Sequence, residues 1–106
     1  MVFPSSSVIL ITGIMASGKS TVAQALAERI PASVHLRGDA FRRMIVNGRA
    51  EIEPDNFDAM IEQLRLRYRV AAAAARVYCE AGFTVVYQDV IIGEILDEVV
   101  AMLQPL

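Results

Sequence analysis

The stretch Gly13-Ile14-Met15-Ala16-Ser17-Gly18-Lys19-Ser20 fits G-x-x-x-x-G-K-[ST], a loop that wraps phosphate only when set between a buried strand and a helix. Four fixed positions of this kind match by chance at on the order of one start site in 10⁴ to 10⁵. The flanks supply the required neighbours. Val8-Ile9-Leu10-Ile11 is a β-branched apolar run of the kind that forms a buried parallel strand. Beyond the loop, Val22, Leu26 and Ile30 recur at helical spacing with Ala23 and Ala27 beside them, until Pro31 stops the helix.

Lys19 is the single lysine; every other cation is one of nine arginines. An ammonium is a compact point charge and a guanidinium a wide planar fork, so the two do not exchange where phosphate oxygens crowd together. Amides at the start of a helix have no intrahelical partners, and the helix dipole adds partial positive charge there. The loop therefore predicts a nucleotide site made by Gly13, Ala16, Ser17, Gly18, Lys19, Ser20 and Thr21. In it Lys19 reaches the outer phosphates and acts in catalysis, Ser20 helps hold Mg²⁺, and Thr21 supports the α-phosphate side. ATP and Mg²⁺ are the implied cofactors. A glycine turn capped by serine would explain the glycines but not the lysine.

At 106 residues the chain predicts one domain with a real core, and 55% hydrophobic residues suit strands buried on both faces. No apolar stretch approaches the length that spans a bilayer, and the N-terminus lacks the basic start of a secretory signal. The one cysteine, Cys79, excludes an internal disulfide and suits a reducing cytoplasm; among apolar neighbours it reads as a structural thiol. A net charge of −2 without a basic tract argues against nucleic acid as a partner.

Along the chain, strands are predicted near Val8 to Thr12, Val34 to Leu36 and Phe83 to Tyr87. Helices are predicted near Lys19 to Ile30, Asp39 to Val46, Phe57 to Ala81 and Gly93 to Leu103. Asn47-Gly48 is a turn signal, Asp55 or Asn56 can cap the long helix, and Gly82 stops it. In that helix Ile61, Leu64, Tyr68, Ala71, Ala75 and Cys79 form the core stripe, and the alanine run marks close packing on the sheet. Arg65, Arg67 and Arg69 read as a solvated face with local carboxylate partners such as Glu62. The βαβααβα order predicts an α/β fold with a parallel sheet.

Two carboxylates fall at strand ends, where α/β folds gather ligand contacts. Asp89 could orient water on Mg²⁺ or cap the following turn. Asp39 could take the proton of an attacking hydroxyl or cap its helix. One turn on, Arg42 could bind an acceptor anion or stabilise a transferring phosphoryl group, with Arg43 as the second candidate; only one of the pair faces the cleft. His35, alternating with apolar strand residues, reads as a satisfied sheet histidine.

Gly13 to Thr21, Gly38-Asp39-x-x-Arg42 and the strand ending in Gln88-Asp89-Val90 together resemble the small-molecule kinase branch of P-loop proteins. Chloramphenicol phosphotransferase-like and zeta-toxin-like kinases look nearest, with gluconate and shikimate kinases further out. The resemblance implies a three-layer, nucleoside-monophosphate-kinase-like P-loop sheet, here cut to about three strands, with residues 1–106 as a single nucleotide-binding domain. It further implies that Asp39 activates the acceptor hydroxyl. Such kinases continue into further strands and an arginine-bearing lid. A chain without them leaves the first strand's edge open, which predicts a homodimer or strand-exchanged oligomer. The expected function is ATP-dependent phosphoryl transfer to a hydroxyl of a small molecule, weakened by the missing lid. The alternatives are a non-catalytic ATP-binding module and a P-loop ATPase acting through a partner.

Overall fold

The structure, a computed structural model, describes residues 7–13, 18–51 and 53–104. Strands β1 (Val8–Thr12), β2 (Ser33–Arg37) and β3 (Thr84–Asp89) form one parallel sheet in the order β1-β3-β2. Central β3 pairs Val8 with Val85 on one side and Val34 with Val85 on the other, so all three strands end at one edge. Parallel neighbours need crossovers, and the helices α1 (Lys19–Glu28), α2 (Asp39–Arg43), α3 (Phe57–Glu80) and α4 (Leu96–Met102) lie in the connections or follow the last strand. Short 3₁₀ turns, Pro54–Asn56 and Gly93–Ile95, lead into α3 and α4.

The alternation of β3 divides the core in two. Val86 faces α1, where Ala23 and Ala27 are buried with Ile9, Ile11, Leu26 and Ile30 packed around them. Val85 and Tyr87 face the other layer, built on Tyr68, Ala71, Ala72, Ala75 and Cys79 of α3 and on Val99 of α4. This is the expected α/β/α sandwich. The alanines of α3 let the helix lie close to the sheet, as its sequence predicts, and Cys79 is buried there, its thiol pKa raised by burial.

Four local expectations change. On α1 it is Ala23, fully buried, that meets the sheet, while Val22 is 58% exposed, because only small side chains fit beneath a closely seated helix. Helix α2 ends at Arg43, short of Val46, and Asn56 precedes α3 without a side-chain capping bond. The arginines of α3 do not share one solvated face. Arg65 reaches Glu98 on α4 with two bonds of 3.2 Å, and Arg67 is buried.

Candidate functional site

The C-terminal edge of the sheet collects the residues that the sequence singles out. At the end of β1, Gly18 takes φ 77° and forms the N-terminal boundary of α1. Such a left-handed turn suits glycine, since a Cβ would strain the backbone there. The first bond of this helix runs from the Val22 amide to the Gly18 carbonyl at 3.1 Å, and among the described residues no side chain caps the turn. The amides of Lys19, Ser20 and Thr21 thus precede the first intrahelical bond, the arrangement that attracts an anion. Of the expected nucleotide contacts, Ala16, Ser17 and the Lys19 side chain lie outside the described residues.

A cavity of about 880 Å³ opens beside this turn, and Gly18, Ser20, Asp39, Arg42, Arg43 and Asp89 all line it. That volume lies in the upper range of small-molecule sites. Three chain segments at the sheet edge thus share one space: the start of α1, the turn from β2 into α2, and the end of β3.

Asp89 is the electrostatic centre. Its side chain has no exposure, and both oxygens are engaged. Oδ1 accepts from Arg67 Nη2 at 2.5 Å and from the Val90 amide at 2.8 Å, and Oδ2 accepts from the Tyr87 hydroxyl at 2.5 Å. Burial, then the negative charge and hydrogen bond of Asp89, push the Tyr87 phenol far above its ordinary pKa. Tyr68, which donates to the Val90 carbonyl at 2.8 Å, is raised by burial and then by Asp89. Asp89, expected on the metal side, thus has both oxygens on protein donors and anchors Arg67. Among the described residues no group of three or more His, Cys, Asp or Glu side chains could hold a metal by itself.

Asp39 has a different setting. Gly38, not Asp39, occupies the capping position of α2, so the capping alternative is not what the structure adopts. The Asp39 side chain is 57% exposed, pairs with Arg43 at 2.8 Å and lies 3.7 Å from Arg67 Nη1. Arg67 thus spans both strand-end carboxylates. Its Nε atom has no hydrogen-bond partner among the described residues.

Arg42 and Arg43 both line the cavity, against the expectation that only one would. Neither guanidinium is uncommitted: Arg43 holds Asp39, while Arg42 donates to the Ala50 carbonyl at 3.2 Å and approaches Glu51 at 3.4 Å. His35 sits between Gln24 and Gln88 at 2.8 and 2.7 Å, the satisfied sheet histidine foreseen.

Sequence reasoning missed Arg67, Gly38 and Gln63. A signal for Arg67 existed. Val85, Tyr87 and Asp89 share strand parity and so face α3, where a buried carboxylate requires a cation; Arg67 lies three residues past Leu64 and four before Ala71, on the core stripe. Gly38 is needed because a Cβ there would stand 1.8 Å from Asp89 Oδ2. Gln63 accepts from the Ala50 amide and donates to the Gly48 carbonyl, both at 2.7 Å, which pins the segment after α2 onto α3.

Comparison with known proteins agrees with this architecture. The family described as AAA domain matches residues 8–93, which takes in all three strands and the cavity-lining turns. A UPF0200 protein of Aeropyrum pernix is 34% identical over 74 residues, covering 70% of this chain. The match covers 40% of that relative's length. Among the described residues no helix is long and apolar enough to cross a membrane. With a parallel three-strand sheet, a phosphate-loop sequence and a family match over most of its length, the chain belongs to the AAA domain family and carries a P-loop nucleotide-binding fold.

Proposed function

We propose that this chain is an ATP-dependent phosphotransferase acting on a hydroxyl of a small molecule. The observation that carries the reading is that Gly18 and Ser20, at the anion-attracting start of α1, line the same cavity as Asp39. A nucleotide's phosphates suit that turn: its glycine is left-handed, no side chain among the described residues caps its amides, and Ser20 lines the same cavity. Ser20 would help hold Mg²⁺, whose charge would offset the negative charge of the phosphates. Lys19 follows in the motif as the cation for the outer phosphates.

Asp39 is the base of this reading. It is exposed enough to meet a hydroxyl and accept its proton, while Arg43 and Arg67 orient its two oxygens. Asp89 acts from behind, fixing Arg67. Arg42 and Arg43 serve as positioning residues, Arg42 for the cavity wall and Arg43 for Asp39.

Replacing Lys19 with Ala is expected to abolish the thermal shift that MgATP gives the full chain. Asp39→Asn is expected to keep that shift and lower acceptor-dependent ADP release by about 10²-fold or more. Phosphate release without any acceptor would make the chain an ATPase. A thermal shift without turnover would leave a binding module.

A further inference from the structure

We infer that the acceptor is an apolar-bodied alcohol, with an aryl or alkyl frame and one reactive hydroxyl, and not a polyol. This rests on the phosphotransferase reading and concerns the part of the cavity beyond Asp39. The wall there comes from α2, the segment after it, and α3: Phe41, Met44, Ile45, Met60, Leu64 and Val70.

The polar side chains of the same cavity are largely committed elsewhere. Gln63 spends both halves of its amide on Ala50 and Gly48. Arg42 is held by Ala50 and Glu51, Gln88 by His35, and Arg43 by Asp39. Asp89 has no exposed oxygen. Asp39, paired with Arg43 and Arg67 yet 57% exposed, is placed to receive the hydroxyl, and among the described residues Arg37 and Ser20 also line the cavity without a side-chain hydrogen-bond partner. A sugar or other polyol would bring several further hydroxyls against a wall with few groups free to bond them, and burying a hydroxyl without a partner disfavours binding. An aryl or alkyl frame gains from the same wall. Met44 and Met60 are unbranched and polarisable, so the wall adapts to frames of differing shape.

The test uses the full chain with isotopically labelled methionine methyls, saturated with a nonhydrolysable ATP analogue. The probes are 3-phenylpropan-1-ol, glucose, glycerol and AMP. The phenylpropanol is expected to shift the Met44 and Met60 methyl signals, the polyols to leave them in place at equal concentration, and AMP not to displace the alcohol. Met44→Glu puts a charge on an exposed part of the wall and is expected to weaken phenylpropanol binding by about tenfold. With ATP, ADP release should rise more with phenylpropanol than with glucose or glycerol.

Silent methyls, polyol binding as tight as that of phenylpropanol, displacement by AMP, or an unchanged affinity in Met44→Glu would each overturn the inference. The two readings fail separately. Methyl shifts without acceptor-dependent ADP release would keep the apolar site and sink phosphotransfer. Glucose-dependent ADP release with silent methyls would keep phosphotransfer and sink the apolar acceptor.

Discussion

The residue on which the site turns is Asp89, a buried carboxylate whose charge is balanced by one arginine, one phenol and one amide. A buried pair of this kind adds little net stability, yet breaking it by removing one partner costs about 3–5 kcal/mol, because the other charge is left stranded. Gly38 is the backbone counterpart. An alanine there would drive its Cβ into the carboxylate, and Asp89 has no room to yield without releasing Tyr87 or Arg67. Gly38→Ala is therefore expected to lower stability by about 3 kcal/mol or more, read as a shift in urea midpoint. The phenols give a pH dependence whose sign can be worked out. Tyr87 and Tyr68 have raised pKa values in the fold, so they stay protonated where an unfolded tyrosine, near pKa 10, ionises. The unfolded chain then binds fewer protons, and stability, fully present below about pH 10, should fall above it by up to about 1.4 kcal/mol per pH unit for each phenol. Urea titrations at pH 8 and above pH 10 check this, and Tyr87→Phe should make the decline shallower. Strand parity and the helix stripe put Asp89 and Arg67 on facing surfaces, but their pairing is not a local pattern, since the two are separated by 22 positions and a helical arginine is ordinarily a surface residue.

At the level of elements, the legible parts were those with a strong period. The strand before the phosphate loop, the 24-residue α3 with its alanine stripe, and the strand ending in Asp89 all lie where apolar spacing puts them. What periodicity could not supply was side-chain size at contacts and partners between elements, hence Val22 in place of Ala23 on α1 and Glu62 in place of Glu98 beside Arg65. The segment from Met44 to Glu51 shows the same limit. Its sequence reads as a helix end followed by a turn, but its position on α3 is set by a distant glutamine. Gln63→Ala removes both bonds that hold Gly48 and Ala50 to α3, at a cost of about 1–2 kcal/mol, since water can reach part of the site. Hydrogen exchange at the Ala50 amide is expected to speed up by about tenfold or more, while α3 amides near Ala72 and Ala75 keep their protection. Equal loss in both places would mean that Gln63 supports the whole fold and not this wall.

On the scale of the whole molecule, the sheet among the described residues gives β1 a partner on one side only. Val8, Ile9, Leu10 and Ile11 are half-buried, whereas Val85, Val86 and Tyr87 of central β3 are fully buried. Backbone bonding can be followed residue by residue. The Val85 amide donates to the Ser7 carbonyl, and in a parallel ladder a strand's residues alternate in the side to which their backbone groups point. Residues 7, 9 and 11 therefore serve β3, while Val8, Leu10 and Thr12 direct theirs away from it. An apolar strand with free groups invites another strand. We expect the 106-residue chain to self-associate through β1, with a dimer or larger species by multi-angle light scattering at tens of micromolar as a rough working range. Val8→Pro removes one outward amide at the first position of the strand, where proline is tolerated, without touching a bond to β3. It should shift the population toward monomer and leave the MgATP thermal shift intact. A monodisperse monomer for the unmodified chain would rule out pairing through β1, and an association that Val8→Pro does not weaken would move the contact to another face.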